Sequence, residues 1–188
     1  MNIPNGLTCV RLFLIPVIVV VHYLPYDCRY WVASAIFLLA SCTDWFDGYL
    51  ARRLNQATPF GAFLDPVADK VMVAVALVVL IEKFNNPLMT VPGLIIIGRE
   101  IVISGLREWM AELGKRTSVA VSYVGKVKTV AQMSAVNLLL LARELGAGVV
   151  GSLGLGLLLL AATLTLWSMC VYLVASWPDL MDFRHQKK

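Results

Sequence analysis

The sequence predicts an all-α integral membrane protein: a bundle of six transmembrane helices behind a short N-terminal juxtamembrane segment, forming a single domain over residues 1–188. Three observations predict it. Of the 188 residues 59% are hydrophobic and only 15% charged, and the mean hydropathy of +0.77 lies well above that of soluble domains. Apolar segments near the length of about 20 residues that crosses a hydrocarbon core recur along the chain. Short turns such as "PYDCRY" and "EKFNNP" separate them.

The first span, residues 7–24, follows "MNIPNGLTCVR". That stretch lacks the basic start and small-residue cleavage site of a secretory signal, so the span is expected to be retained. The second, 31–50, is free of charge only from Tyr30 to Thr43 before it runs into "DWFDGYLARR". The third, 61–81, carries Asp65 and Asp69 in its first turns. The fourth, 88–110, is interrupted by Arg99 and Glu100, which neighbouring helices are expected to neutralise, because intramembrane charges find partners. The fifth, 126–141, is short, and only the sixth, 149–174, is an unambiguous apolar run. A plain hydropathy window therefore undercounts. "GAGVVGSLGLG" opens the sixth span and sets Gly148, Ser152 and Gly156 on one helix face, a spacing that allows close packing within the chain or between subunits.

Lysine and arginine positions orient the bundle. Six crossings from a cytoplasmic N-terminus put Arg52, Arg53, Lys115, Arg116 and the terminal "RHQKK" inside, and leave Arg29, Lys83 and Arg143 outside. Both termini are then cytoplasmic, and the net charge of +4 faces anionic lipids rather than nucleic acid. Tryptophans 31, 109 and 177 fall near span ends, as interface anchors do, and His22 lies toward the outer end of the first helix. Cysteines 9, 28, 42 and 170 show no metal or redox spacing and are expected to be small apolar packing residues.

In this topology the second helix ends, and the third begins, at the cytoplasmic face. Asp44 and Asp47 are spaced i, i+3, and Asp65 and Asp69 i, i+4, so each pair occupies a single helix face. A charge near the bilayer centre costs about 2.5 to 3.5 kcal/mol on insertion scales, and two like charges about 5 Å apart repel by about 3 kcal/mol at an effective dielectric near 20. Four bare carboxylates need neutralising, either by Arg52, Arg53 and Lys70 or by divalent cations. Hard cations such as magnesium or manganese suit paired aspartates, and two of them would form a clamp for a diphosphate in phosphoryl transfer. Gly48, Ala51 and Gly61 keep bulk away from the clamp, and Arg52 offers a fork of donors to phosphate oxygens.

The complete pattern is DxxDG, two residues, AR, eight residues, G, three residues, D, three residues, D, read here at Asp44, Asp47, Gly48, Ala51, Arg52, Gly61, Asp65 and Asp69. It resembles the signature of the CDP-alcohol phosphotransferase family, integral membrane enzymes that join a CDP-linked donor to an alcohol acceptor and release CMP. "NIPNGLTCVRLFLIP", "GREIVISGLREWMAELGKR" and "VAVSYVGKVKTVAQM" look like the corresponding segments of bacterial members that act on CDP-diacylglycerol and sn-glycerol-3-phosphate. The resemblance spans nearly the whole chain. It implies metal ligation by Asp44, Asp47, Asp65 and Asp69, with Asp69 also the general base, and a CDP site lined by Gly48, Ala51, Arg52 and Gly61. It further implies magnesium or manganese, two ions per site, and a homodimer in the bacterial inner membrane with its active site facing the cytoplasm.

An acceptor that carries its own phosphate needs a second anion site, for which Arg107, Lys126 and Lys128 are the candidates, with Arg99 a weaker one. Asn5 and Thr8 are placed either to cap the first span or to face the nucleotide. The signature reports the donor and the metals, so inositol phosphate, serine or a second lipid stays open as the acceptor. A cation transporter is the remaining alternative. Transporters place such groups near the midplane between repeats, whereas these lie at one face and no repeat is evident.

Overall fold

The computed structural model describes residues 3–53, 59–112 and 123–181. Among these residues the chain is helical and has no strand: α1 (Ile3–Tyr23), α2 (Arg29–Arg53), α3 (Pro59–Phe84), α4 (Pro87–Glu112), α5 (Tyr123–Leu141) and α6 (Gly148–Met181). Each expected span falls on one of them, the first overrunning α1 by a residue. Local chemistry sets the boundaries. Asn85 closes α3 at a φ of 40°, a left-handed conformation that asparagine tolerates better than most residues. Asn86 then caps α4 by accepting the Leu88 amide at 2.8 Å, and Pro87 occupies the first helical position, where no amide donor is needed. Between α5 and α6, Gly146 (φ 72°) and Gly148 (φ 62°) turn the chain through the left-handed region, which side chains disfavour.

Contacts between the helices give their directions. Thr8 meets Asp65 and His22 meets Glu82, so α1 and α3 run parallel. Ser34 meets Asn137 and Ser41 meets Met133, so α2 and α5 are antiparallel. Arg99 meets Ser168 and Arg107 meets Tyr172, so α4 and α6 are parallel. With short hairpins joining α1 to α2 and α3 to α4, the six helices alternate up and down.

The core holds Phe37, Met72, Leu77, Leu80, Ile96, Leu139 and Leu158. The outside is equally apolar: Phe13, Trp31, Phe63, Ile101, Val149 and Trp167 are all exposed. Polar groups turn inward instead, with Thr8, Arg11, Lys128, Gln132 and Thr165 buried. This is the reverse of a soluble protein's arrangement and the one that lipid requires. Three helical segments, Gly6–Tyr23, Pro87–Glu112 and Gly148–Trp177, are long and apolar enough to cross a membrane by length and composition alone. Among the described residues, shorter apolar stretches lie on α2 and α5, at Arg29–Thr43 and Val127–Leu141.

Two sequence expectations are corrected here: that the face of Gly148, Ser152 and Gly156 packs within the chain, its packing against a second subunit being a separate reading, and that the cysteines are packing residues. Gly148, Ser152 and Gly156 point outward and are exposed, and a Cβ on either glycine would meet nothing within 4 Å. The glycines that permit close approach are Gly151 and Gly154. A Cβ would lie 2.7 Å from the Glu144 carbonyl oxygen at the first and 2.9 Å from Leu139 at the second. A four-residue period marks a face without saying which way it points. The cysteines are likewise not core residues. All four are free and exposed, because a bundle whose outside is apolar does not confine a small apolar residue to its centre.

Candidate active site

Helix α1 packs against both α2 and α3, and because it is antiparallel to the first and parallel to the second, the end of α2 and the start of α3 lie at the same end of the bundle. Helix α2 continues unbroken to Arg53, so Asp44, Asp47, Gly48, Ala51 and Arg52 share its final turns. Their side chains, with those of Asn5 and Lys126, lie outside the described residues, as do Lys115 and Arg116.

On α3 the second pair is described in full. Gly61 is buried, while Asp65 and Asp69 are part-exposed. Both carboxylates are held from α1: Thr8 Oγ1 donates to Asp65 Oδ1 at 2.6 Å, and Arg11 Nη1 donates to Asp69 Oδ1. Thr8 is 1% exposed and Arg11 0%. Residues three apart on α1 thus meet residues four apart on a parallel α3, one rung per helical turn. A fully buried guanidinium costs several kcal/mol unless it is paired, and here its counter-ion is an aspartate of the signature.

Arg11 is the residue of this site that sequence reasoning misses. The available signal is one charge within an otherwise apolar first span, three residues after a hydroxyl. For Thr8 the structure shows a donated hydrogen bond to Asp65, which sets its hydroxyl beside a signature aspartate.

A second polar cluster lies across a groove. Glu100 Oε1 accepts from Arg99 Nη1 and from Lys128 Nζ, both at 2.9 Å, and Arg99 Nη2 reaches Ser168 at 3.3 Å. Glu100 is neutralised by Lys128 of α5, as expected for a charge inside a span, whereas Arg99 pairs with Glu100 of its own helix and, among the described residues of other helices, reaches only a neutral hydroxyl on α6. The groove between α3 and α4 has a volume of about 440 Å³ and is lined by Lys70, Val73, Ile97, Glu100, Ile101 and Ser104. It extends from the residue after Asp69 to the Glu100 cluster. Of the acceptor candidates, Lys128 is buried on Glu100, and Arg107 is exposed with its guanidinium 5.6 Å from the Tyr172 ring centre. Glu100, Ser104 and Arg107 fall on one face of α4 by their i, i+4, i+7 spacing. His22 and Glu82, 3.2 Å apart, mark the opposite end of the bundle.

The end of the bundle that holds Asp65 and Asp69 thus sets two part-exposed carboxylates beside a buried glycine, with a charged cluster on Glu100 across the groove. The chain belongs to the CDP-alcohol phosphatidyltransferase family, whose model matches residues 1–174. At the level of individual proteins, it is 56% identical over 181 residues to the "CDP-diacylglycerol--glycerol-3-phosphate 3-phosphatidyltransferase" of Salmonella choleraesuis (strain SC-B67), covering 96% of this chain and 98% of that one. It is 55% identical, over the same shares, to the protein of that name from Escherichia coli (strain K12).

Proposed function

We propose that this protein transfers the phosphatidyl group from CDP-diacylglycerol to sn-glycerol-3-phosphate, giving phosphatidylglycerophosphate and CMP, the first committed step toward phosphatidylglycerol and cardiolipin. The observation that carries it is the identity of 55–56% over 96% of the chain to relatives named for that reaction. Asp65 and Asp69, one turn apart at the end of the bundle where α2 brings Asp44 and Asp47, fit a divalent metal site, because carboxylate oxygens are the ligands that magnesium and manganese prefer. Two such ions, when bound, would offset the charge of the diphosphate.

The protein's own groups divide the remaining work. Gly48, Ala51, Arg52 and Gly61 line the cytidine diphosphate site, where the absence of bulk admits the diphosphate and Arg52 supplies paired donors. Arg107 and Lys126 bind the phosphate of the acceptor, and Lys128, held on Glu100, adds positive charge behind them. Asp69 takes the proton of the acceptor hydroxyl as that oxygen bonds to the phosphorus bearing the diacylglycerol. The bond from this phosphorus to the CMP oxygen breaks in the same displacement, and CMP leaves with the electron pair. All six helices span the bacterial cytoplasmic membrane, with both termini and the active site on the cytoplasmic side and the chain as a homodimer. The alternating helix directions and the positions of the basic residues support this orientation.

Purified protein given magnesium, CDP-diacylglycerol and glycerol-3-phosphate should release CMP. General-base loss of about 10²- to 10⁴-fold is expected for Asp69→Asn. Wild-type activity in that variant would remove the assigned base. CMP release with inositol phosphate, serine or a second lipid, but not with glycerol-3-phosphate, would overturn the acceptor.

A further inference from the structure

The α1 residues that touch the aspartates have no role in the reaction described above. We propose that Thr8 and Arg11 are positioning residues, which fix the carboxylates of Asp65 and Asp69 so that their remaining lone pairs converge on a divalent cation. The inference rests on the metal-site reading of those aspartates.

The geometry is specific. Thr8 engages Asp65 through Oδ1 at 2.6 Å, and Arg11 engages Asp69 through Oδ1 by a charge-assisted contact. An ionised carboxylate offers about four lone-pair sites on two oxygens, so it can be held in rotation by a donated hydrogen bond and also accept a cation. The carboxylates are part-exposed, whereas their holders are buried. The aspartates therefore present themselves at the site while being gripped from the protein side. Second-sphere partners of this kind orient metal-ligating groups.

A purely structural purpose accounts poorly for Arg11. Replacing a buried ion pair with hydrocarbon of similar volume is often neutral or stabilising, and α1 is apolar enough to pack without one. Arg11 also brings a positive charge to an end of the bundle that carries four signature aspartates, which limits their mutual repulsion in the absence of a cation.

Binding of Mn²⁺ to the purified full-length protein in detergent, followed by the EPR signal of free Mn²⁺ with no lipid present, tests this apart from turnover. Thr8→Val and Arg11→Lys should each weaken Mn²⁺ by about 10-fold and Arg11→Met by up to about 100-fold, while Thr8→Ser should keep wild-type affinity. The thermal midpoint of each variant should stay above the assay temperature. In an Asp69→Asn background, Arg11→Met should have no further effect, because its effect runs through that carboxylate. Mn²⁺ affinities of Thr8→Val and Arg11→Lys within twofold of wild type would overturn the proposal and leave the metal site standing. Wild-type protein that binds no Mn²⁺ would remove the metal site and the proposal together.

Discussion

At the scale of residues, placement decides what each charge does. Arg107 is exposed on the same α4 face as Glu100, where an incoming phosphate can reach it. Loss of one hydrogen bond to a charged group is worth about 1.5 to 3 kcal/mol, so Arg107→Ala should raise the KM for glycerol-3-phosphate by roughly 10- to 100-fold. The KM for CDP-diacylglycerol should not move, and steady-state kinetics with each substrate varied separately will check both. Lys83 sits at the opposite end, where its ammonium donates to the carbonyls of Leu139, Leu140 and Ala142 at 3.1, 3.0 and 2.6 Å. Burial, and to a smaller degree the Arg29 guanidinium, push its pKa from 10.5 down to about 8. Between about 8 and 10.5 the unfolded chain therefore binds more protons than the folded one at this site, so stability rises with pH across that window and is flat below it. Thermal midpoints in detergent from pH 7 to 10.5 should show a rise in wild type that Lys83→Met removes. The four signature aspartates were legible in the sequence because charge in an apolar chain is costly and their spacing repeats. Arg11 was not, since a lone charge names no partner until another helix is placed beside it.

At the scale of elements, α5 and α6 show how a short apolar helix is held. They pack along each other, and Gly154 of α6 lies so close to α5 that a Cβ would be 2.9 Å from Leu139 Cγ. Gly154→Val should cost about 1 to 3 kcal/mol by overpacking, whereas Gly156→Val, on the exposed face, should leave the thermal midpoint nearly unchanged. The opposite ranking would mean that the outward glycine face is the packed one. Helix existence and extent were readable from apolar run length and from turn residues such as Asn85, Asn86 and Pro87. The packed face of α6 was not readable, because the segment is apolar and glycine-rich all round and so carries no stripe that distinguishes inside from outside.

At the scale of the whole molecule, the alternating helix directions set Cys28, exposed in the turn between α1 and α2, at the end of the bundle opposite the aspartates. In a Cys9→Ser, Cys42→Ser, Cys170→Ser background, a membrane-impermeant maleimide added to spheroplasts should label Cys28 before lysis. Labelling only after permeabilisation would invert the orientation proposed here. The outward apolar surface and inward polar groups belong to this scale too. They explain why hydropathy, usually a guide to burial, says little about which residues of this chain are buried.

By itself the sequence determined the helical class, the approximate ends of the helices and the carboxylates of the signature. Each of these follows from local quantities: run length, turn chemistry and the cost of charge in an apolar environment. Only the tertiary structure decided that Thr8 and Arg11 hold Asp65 and Asp69, that Lys128 and Arg99 converge on Glu100, and which glycines touch a neighbour. The contacts that reach Asp65, Asp69 and Glu100 from another helix join residues 28 to 58 positions apart, and a partner at that distance along the chain is chosen by how parallel and antiparallel helices pack.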